Sequence, residues 1–408
     1  MGLFDRFKSD KLDEVEVDLN KRNFVYLNHL IQNAENDITL DSDITLEDGE
    51  EDYFKKGIEI KKDLVINGKG HAIDASGKGI FFLLKTSKTS IHFRNVVFRN
   101  AFIKGKKYSI QGEKNVAVKF SDCIFEDNEL PINIFGEGYL SDCTFKNNKI
   151  GVILHRKTEI RECGFEGNGI GIQNIEGDGS VVNCNFKNNE IGISSSGEQQ
   201  ICDSTFEDDN HCIRLSNGKF NIRSCNFKNN RSVLQGSGKI ELDDCEFSQN
   251  KSCGEIHAIP SRFNDCRFSD NGTLHLNGIS YFTGCLFENN SSRYDGGAIY
   301  NKSRCEIKEC TFTGNHAEKL GGAIYNDFAS SVSVHDSCFK DNRAQSGGAI
   351  YNMAKPKTAW DSATNSKFGD GIVKFQNQGN RYSGNICKNK DGKDIENTLY
   401  DTSNLIAF

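Results

Sequence analysis

The sequence predicts an all-β fold: a single-stranded, right-handed parallel β-helix of about 20–21 residues per coil, with an N-terminal capping helix. Three observations predict it. A Cys-x-Phe-x-x-Asn segment recurs nine times, starting at Cys123, Cys143, Cys163, Cys184, Cys225, Cys245, Cys266, Cys285 and Cys310. Worn copies, Ser204-Phe206-Asp209 and Ser337-Phe339-Asn342, fill gaps, so that the steps from Phe125 to Phe287 are 20, 20, 21, 20, 21, 20, 21 and 19 residues. Finally, each unit holds three short apolar pieces of alternating pattern between Asn, Gly, Asp and Ser turns, too short for helices and rich in β-branched residues. Strands this short cannot bury a face within one unit, so successive units must stack.

Along the chain, residues 1–22 are charge-rich and read as a flexible arm. Residues 23–35 place Phe24, Leu27, Leu30, Ile31 and Ala34 on one helical face, with Asn23 as N-cap, and are expected to cover the open end of the stack. The β-helix is expected over 23–400, with irregular first coils at 58–120 and regular Cys-x-Phe-x-x-Asn coils over 120–290. Over 291–352 the coils lengthen and carry Gly-Gly-Ala-Ile-Tyr-Asn at Gly296–Asn301, Gly321–Asn326 and Gly347–Asn352. Residues 353–380 break the period and read as a loop, and 381–408 as a worn last copy and cap.

Stacking predicts columns. Phe, Cys and the aliphatic residue five places before each Phe point inward, and the Asn residues form a ladder at the turn. The residue after Phe alternates in sign, Glu126, Lys146, Glu166, Lys187, Glu207, Lys228. Facing opposite charges stabilise neighbouring strands by ~0.2–1 kcal/mol a pair, and a slip of one coil would set like against like. The fifteen Cys are odd in number, which sits badly with a complete disulfide framework. The in-register nine read as a buried, reduced cysteine ladder, and Cys202, Cys212, Cys253, Cys305, Cys338 and Cys387 as the better candidates for reactivity.

Several classes are excluded. No apolar run approaches the ~20 residues that span a bilayer. A net charge of −7 without clustered Lys and Arg argues against a nucleic-acid partner. No signal peptide opens the chain, which points to a cytoplasmic location, with the cell surface as the alternative.

Catalytic, metal and cofactor residues are expected to be none. The nine His do not stack, and His155 and His257 share a phase some five coils apart. The one candidate for metal is weak: an acidic column three residues before Phe, Asp122, Asp142, Glu162, Asp203, Asp244 and Asp265. Oxygen-rich columns suit hard cations, but a column that belongs to the repeat reads first as solvated turn residues.

Phe-x-x-Asn paired with Gly-Gly-Ala-Ile, as in Phe287/Asn290 with Gly297–Ile299, Phe312/Asn315 with Gly322–Ile324 and Phe339/Asn342 with Gly348–Ile350, resembles the repeat pair of the polymorphic membrane proteins. It also resembles that of the adhesin-like proteins of methanogens. The run from Leu27 through Leu40–Leu46 to Leu64–Asp74 looks like the opening of those adhesin-like members. The resemblance implies a pectate-lyase-like solenoid with an adhesin-like role. It leads to a non-enzymatic module presenting an extended surface to carbohydrate or protein; the alternative is a polysaccharide lyase, hydrolase or epimerase on the same superfold.

Overall fold

The computed structural model describes residues 17–85, 90–102, 109–112, 116–129, 132–175, 177–257, 260–328, 330–353, 375–388, 392–396 and 399–401. Most of the expected arm (1–16), of the expected loop (354–374) and of the end of the cap (402–408) lies outside these residues. The chain divides into two compact units, Met1–Gly179 and Ser180–Phe408.

Each unit is a stack of parallel coils, and a typical coil is three strands joined by tight turns; at His211–Arg223 and Ser232–Asp243 in the second unit the second and third strands run on as one. In the coil that begins at Cys143 the Phe strand is Thr144–Lys146, the second strand Ile150–Leu154 and the third Thr158–Arg161. Phe strands lie on Phe strands in strict register, Phe125 opposite Phe145 and Phe145 opposite Phe165. Third strands do the same, with Phe120 opposite Leu140 and Leu140 opposite Ile160. Among the described residues the first unit has six Phe-position strands and the second nine.

The core is a set of columns. In the first unit the rings of Phe98, Phe125, Phe145 and Phe165 stack at 4.8–4.9 Å. In the second, Phe186 to Phe339 stack at 4.4–4.9 Å, closed by Tyr382 at 5.1 Å. All nine in-register Cys are buried and outside any disulfide, and the Cys163 thiol, for one, donates to the Arg161 carbonyl two residues earlier at 3.1 Å. Four of the out-of-register cysteines expected to be reactive are instead core residues: Cys212, Cys253, Cys305 and Cys387 are at most 3% exposed. Burial pushes the thiols of Cys253 and Cys305 well above their ordinary range, which removes the reactive thiolate. Only Cys202 and Cys338 of that set keep partial exposure.

The Asn ladder supplies the buried polar bonding. In the first unit, Asn148 Oδ1 accepts from the backbone N–H and the side-chain Nδ2 of Asn128, both at 3.0 Å. Asn148 Nδ2 in turn donates to the Phe125 carbonyl at 2.8 Å and to Asn168 Oδ1 at 3.1 Å. A carboxamide carries both donor and acceptor, so identical copies satisfy one another at every step. The second unit repeats the pattern from Asn230 through Asn385.

The end of the first unit is covered by the helix Phe24–Asn33, whose N-cap Asn23 accepts from the Tyr26 amide at 3.0 Å. Glu50, which the sequence pattern does not mark, is buried beneath it and accepts from the amides of Val25 at 2.9 Å and Glu47 at 2.7 Å. A carboxylate there meets both the orphan amides and the positive end of the helix. At the other extreme, the segment expected as a loop ends in a strand, Phe375–Gln378, which pairs with Val332–His335. Its Gln376 and Gln378 alternation is too polar to signal a strand; coil stacking overrides propensity there.

One rung of the ladder is different. Asp209 stands where its neighbours have Asn. Its Oδ1 accepts from the amide and Nδ2 of Asn189 at 2.7 and 3.0 Å, but its buried Oδ2 has no partner. An ionised carboxylate has no hydrogen to offer the acceptors that an Asn amide serves, and burial pushes Asp209 up to about 7. The unfolded chain gives up this proton near pH ~3.9, so the folded state holds a proton that the unfolded state has lost between those values. The stabilisation is complete below the unfolded value and is lost as pH rises through about 7.

Two predictions follow from the core. Phe186, fully buried, is expected to cost ~3–5 kcal/mol when changed to Ala; a near-native melting temperature would remove the Phe column from the core. Asp209→Asn is expected to be more stable than the parent at pH 8, on the order of 2–4 kcal/mol, with the gain shrinking toward pH 5. Denaturant unfolding at both pH values reads this, and an equal pH dependence in the two proteins would refute a protonated Asp209.

Candidate functional site

The acidic column is exposed and sits at the turn entering the Phe strand. Asp122, Asp142, Glu162, Asp203, Asp244 and Asp265 all have φ between +51° and +55°. The residue two after Phe is left-handed as well, as at Asp127, Asn147, Asp208 and Asn289 (φ +54° to +58°). Each Phe strand is thus bracketed by single left-handed residues, a conformation that Asp and Asn tolerate better than other side chains bearing a Cβ. The column therefore has a backbone task. Among the described residues no three His, Cys, Asp or Glu side chains converge as a metal site.

The charged column after Phe pairs as its alternation requires: Lys146 meets Glu166 at 3.8 Å in the first unit, and Lys187 meets Glu207 at 3.3 Å in the second. These pairs are solvated and contribute little each. They spend their charge on one another, so this face offers a ligand little.

The outward column of the second strands in the second unit is unlike the others. Register sets Ser194, Arg214, Gln235, Glu255, His275, Tyr300, Tyr325 and Tyr351 in line. Its tyrosines come from Gly-Gly-Ala-Ile-Tyr-Asn. Within that motif the first Gly is left-handed, with φ +63° to +67° at Gly296, Gly321 and Gly347. The second has no room for a Cβ, which at Gly297 or Gly322 would collide with the backbone oxygen of the next coil. Ala and Ile are buried. The Asn forms a second inner ladder, Asn301 Nδ2 donating to Asn326 Oδ1 at 2.7 Å and Asn326 Nδ2 to Asn352 Oδ1 at 2.6 Å. Only Tyr points away from the core; Tyr300 and Tyr351 are half-buried, while Tyr325 between them is covered to 5% exposure, its hydroxyl donating to Met353 Sδ at 3.1 Å.

The His275 and Tyr300 rings lie 5.4 Å apart, Tyr300 and Tyr325 4.8 Å, and Tyr325 and Tyr351 5.8 Å. The outer two pairs are stacked, at 26° and 16°, and the middle pair is tilted at 44°, so the column turns mainly ring edges to its surroundings. Tyr300 OH donates to Asp327 Oδ2 at 3.4 Å, and Lys302 Nζ lies 5.1 Å over the Tyr300 ring. Burial pushes Tyr300 up to about 12, so its hydroxyl stays a donor at neutral pH. Burial also raises half-buried Asp295, and the charge of Asp327 adds to the effect. Beside the column, Tyr294, Phe328 and Met353 are 68%, 45% and 40% exposed, with Lys319 Nζ 5.1 Å over the Tyr294 ring. Exposed aromatic and apolar groups gathered with polar ones mark an interaction surface.

Three stretches, residues 284–302, 309–327 and 336–353, match the Chlamydia polymorphic membrane protein repeat. They are the coils that carry the tyrosines. The chain is a β-helix repeat protein that resembles those repeats. No curated protein sequence matches it. Among solved structures, tailspike protein 3 of bacteriophage CBA120 is similar with a TM-score of 0.51 at 10% identity, over 88% of this chain and 58% of the tailspike. This chain therefore spans less than two thirds of the tailspike, and the likeness is one of fold. The catalytic domain of a GH87 α-1,3-glucanase in complex with nigerose gives 0.39 at 11% identity, over 89% and 68% of the two chains. The A-module of the Azotobacter vinelandii mannuronan C-5 epimerase AlgE6 gives 0.21 at 10%, over 85% and 87%. Among the described residues no helix is long and apolar enough to cross a membrane.

The turn assignment can be checked at Asp142. Changing it to Asn or Gly should leave stability within about 0.5 kcal/mol, whereas Val should cost ~1–2 kcal/mol in the left-handed position. Equal melting of all three variants would contradict a backbone task for the column.

Proposed function

We propose that this chain is a non-enzymatic β-helix binding module whose second unit presents the Tyr300–Tyr325–Tyr351 surface to a carbohydrate. One observation carries the reading: of the six residues in Gly-Gly-Ala-Ile-Tyr-Asn, five are used by the fold and the sixth, Tyr, is turned away from the core three times in register, with Tyr300 and Tyr351 part-exposed on either side of the covered Tyr325. Rings that show mainly edges, flanked by Lys302, Asp327 and the exposed Tyr294, suit a ligand with alternating C–H and O–H groups. The match of these coils to a membrane-protein repeat supports a cell-surface location over the cytoplasmic one.

One observation favours an enzyme as a second reading. Half-buried Asp295 accepts from the Leu320 amide at 3.2 Å, and Asp327 accepts from Tyr300 in the same coils; burial raises Asp295 against the pull of that amide and of Lys319, and glycosidases work with a pair of carboxylates of which one is kept protonated.

A glycan array with the full chain tests both. Binding is expected, and Tyr294→Ala with Tyr300→Ala should weaken it about tenfold, the loss of ~1.4 kcal/mol of contact, with the fold retained by circular dichroism. Absence of any glycan binding, with a protein captured in its stead, would defeat the carbohydrate reading. Release of reducing ends from a bound glycan, abolished by Asp295→Asn, would replace the module by the hydrolase.

A further inference from the structure

We infer that the carbohydrate is acidic, a carboxylated or sulfated polysaccharide, and that Arg214 is the residue that reads its anionic group. The inference rests on the carbohydrate reading and adds a charge class and a second anchor to it.

Arg214 occupies the same outward column as the tyrosines, with Ser194 on one side and Gln235 on the other. It is half-buried, and its Nε is buried with no hydrogen-bond partner. Among the described residues no ion pair is seen for it, as for Lys228, Arg231 and Arg262, whereas Lys239 pairs with Glu241 at 2.9 Å, Arg267 with Glu288 at 2.7 Å and Lys187 with Glu207 at 3.3 Å. Three residues earlier on the same strand, the Nδ1 of His211 is also buried without a partner. Between the two, Cys212 and Ile213 both point inward, so His211 and Arg214 stand on either side of one corner of the coil. Among the described residues Arg231, one coil on, donates to Asn210 Oδ1 at 3.4 Å, while Asn210 Nδ2 donates to Glu190 at 2.6 Å. Burial and then the Arg214 charge lower the affinity of His211 for a proton, against an opposing pull from Glu190.

A buried N–H without an acceptor is unfavourable, and the planar guanidinium fork matches the two oxygens of a carboxylate or sulfate. An anion at the accessible end of the half-buried guanidinium would offset the local positive charge of Arg214, Arg231 and the His211 corner. The column then leads through Gln235 and Glu255 to His275 and Tyr300. At ~4.8 Å per coil the four steps from Arg214 to Tyr300 cover ~19 Å, the reach of a short oligosaccharide. Glu255 is the one carboxylate in line between them. Its Oε1 accepts from Asn277 Nδ2 at 2.8 Å and lies 3.4 Å from His257 Nε2, so its lone pairs are engaged sideways.

The experiment is a calorimetric titration of the full chain, in about 0.15 M salt, with three probes of equal length: an oligogalacturonate, its methyl ester, and a heparin-derived oligosaccharide. An acidic probe is expected to bind about tenfold or more tightly than the neutral ester, the discrimination one charge-assisted hydrogen bond supplies. Arg214→Gln should erase that preference, Arg214→Lys should keep part of it, and Tyr300→Ala should weaken acidic and neutral probes alike. Which acid binds separates carboxylate from sulfate as the source. Equal binding of acidic and neutral probes, or a preference that survives Arg214→Gln in a folded variant, overturns the role of Arg214 and leaves the carbohydrate reading standing. No binding of any probe overturns both.

Discussion

Parallel coils hydrogen-bonded at the inter-strand spacing of ~4.8 Å impose one rule on this chain: every side chain faces its own counterpart in the next coil. A residue is admissible at a position only if it tolerates a copy of itself above and below. Phe satisfies the rule by face-to-face stacking, aliphatic residues and Cys by dispersion, and Asn because its carboxamide donates with one end and accepts with the other. A fixed charge fails it wherever water is excluded: the column after Phe alternates Glu with Lys and lies in solvent, and the like-charged column before Phe is confined to exposed turns. Composition follows from this rule: abundant Phe, Cys, Asn and Gly, and only 3 Pro in 408 residues, since Pro cannot supply the ladder N–H.

The same rule explains why Asp209 matters more than its size suggests. Asp and Asn are nearly isosteric, yet an ionised carboxylate is acceptor-only and cannot hand a hydrogen to the rung beyond. Burial favours the protonated form, and one substitution in an otherwise self-satisfying ladder becomes a titratable point in the core. Nothing in the local pattern announces it, because Asp209 fills the consensus position of a worn repeat.

Most of the fold was legible because a repeat reports its own geometry. The Phe steps gave the coil length, the alternation gave the strands, and Phe24 to Ala34 with Asn23 gave the helix. The buried Glu50 was not legible, because its partners are the amides of a helix about 25 residues away and such bonds leave no periodic trace. The acidic column was readable only as a chemical pattern. Its regularity came from backbone dihedrals, and Asp122, Asp142, Glu162, Asp203, Asp244 and Asp265 share a left-handed φ more than they share a ligand. The out-of-register cysteines misled for a related reason: leaving the Cys column places Cys212 and Cys253 at a different inward corner, not on the surface.

Function on such a scaffold must sit where the self-copying rule is relaxed, which is on outward positions whose identity the fold does not fix. The tyrosine column meets that condition, since neighbouring outward positions in the same line accept Arg, Gln, Glu and His without disturbing the core. Motif recognition found the tyrosines but not their direction. The direction follows from alternation within Ile-Tyr-Asn once both flanking residues are known to be buried, Ile in the core and Asn in an inner ladder. That second ladder, Asn301 to Asn352, fixes each Tyr against its strand with no help from the ring itself. The backbone under each ring is therefore held by residues other than those that would meet a ligand, and a surface built in this way can change its outward chemistry from coil to coil while its spacing stays set by the backbone.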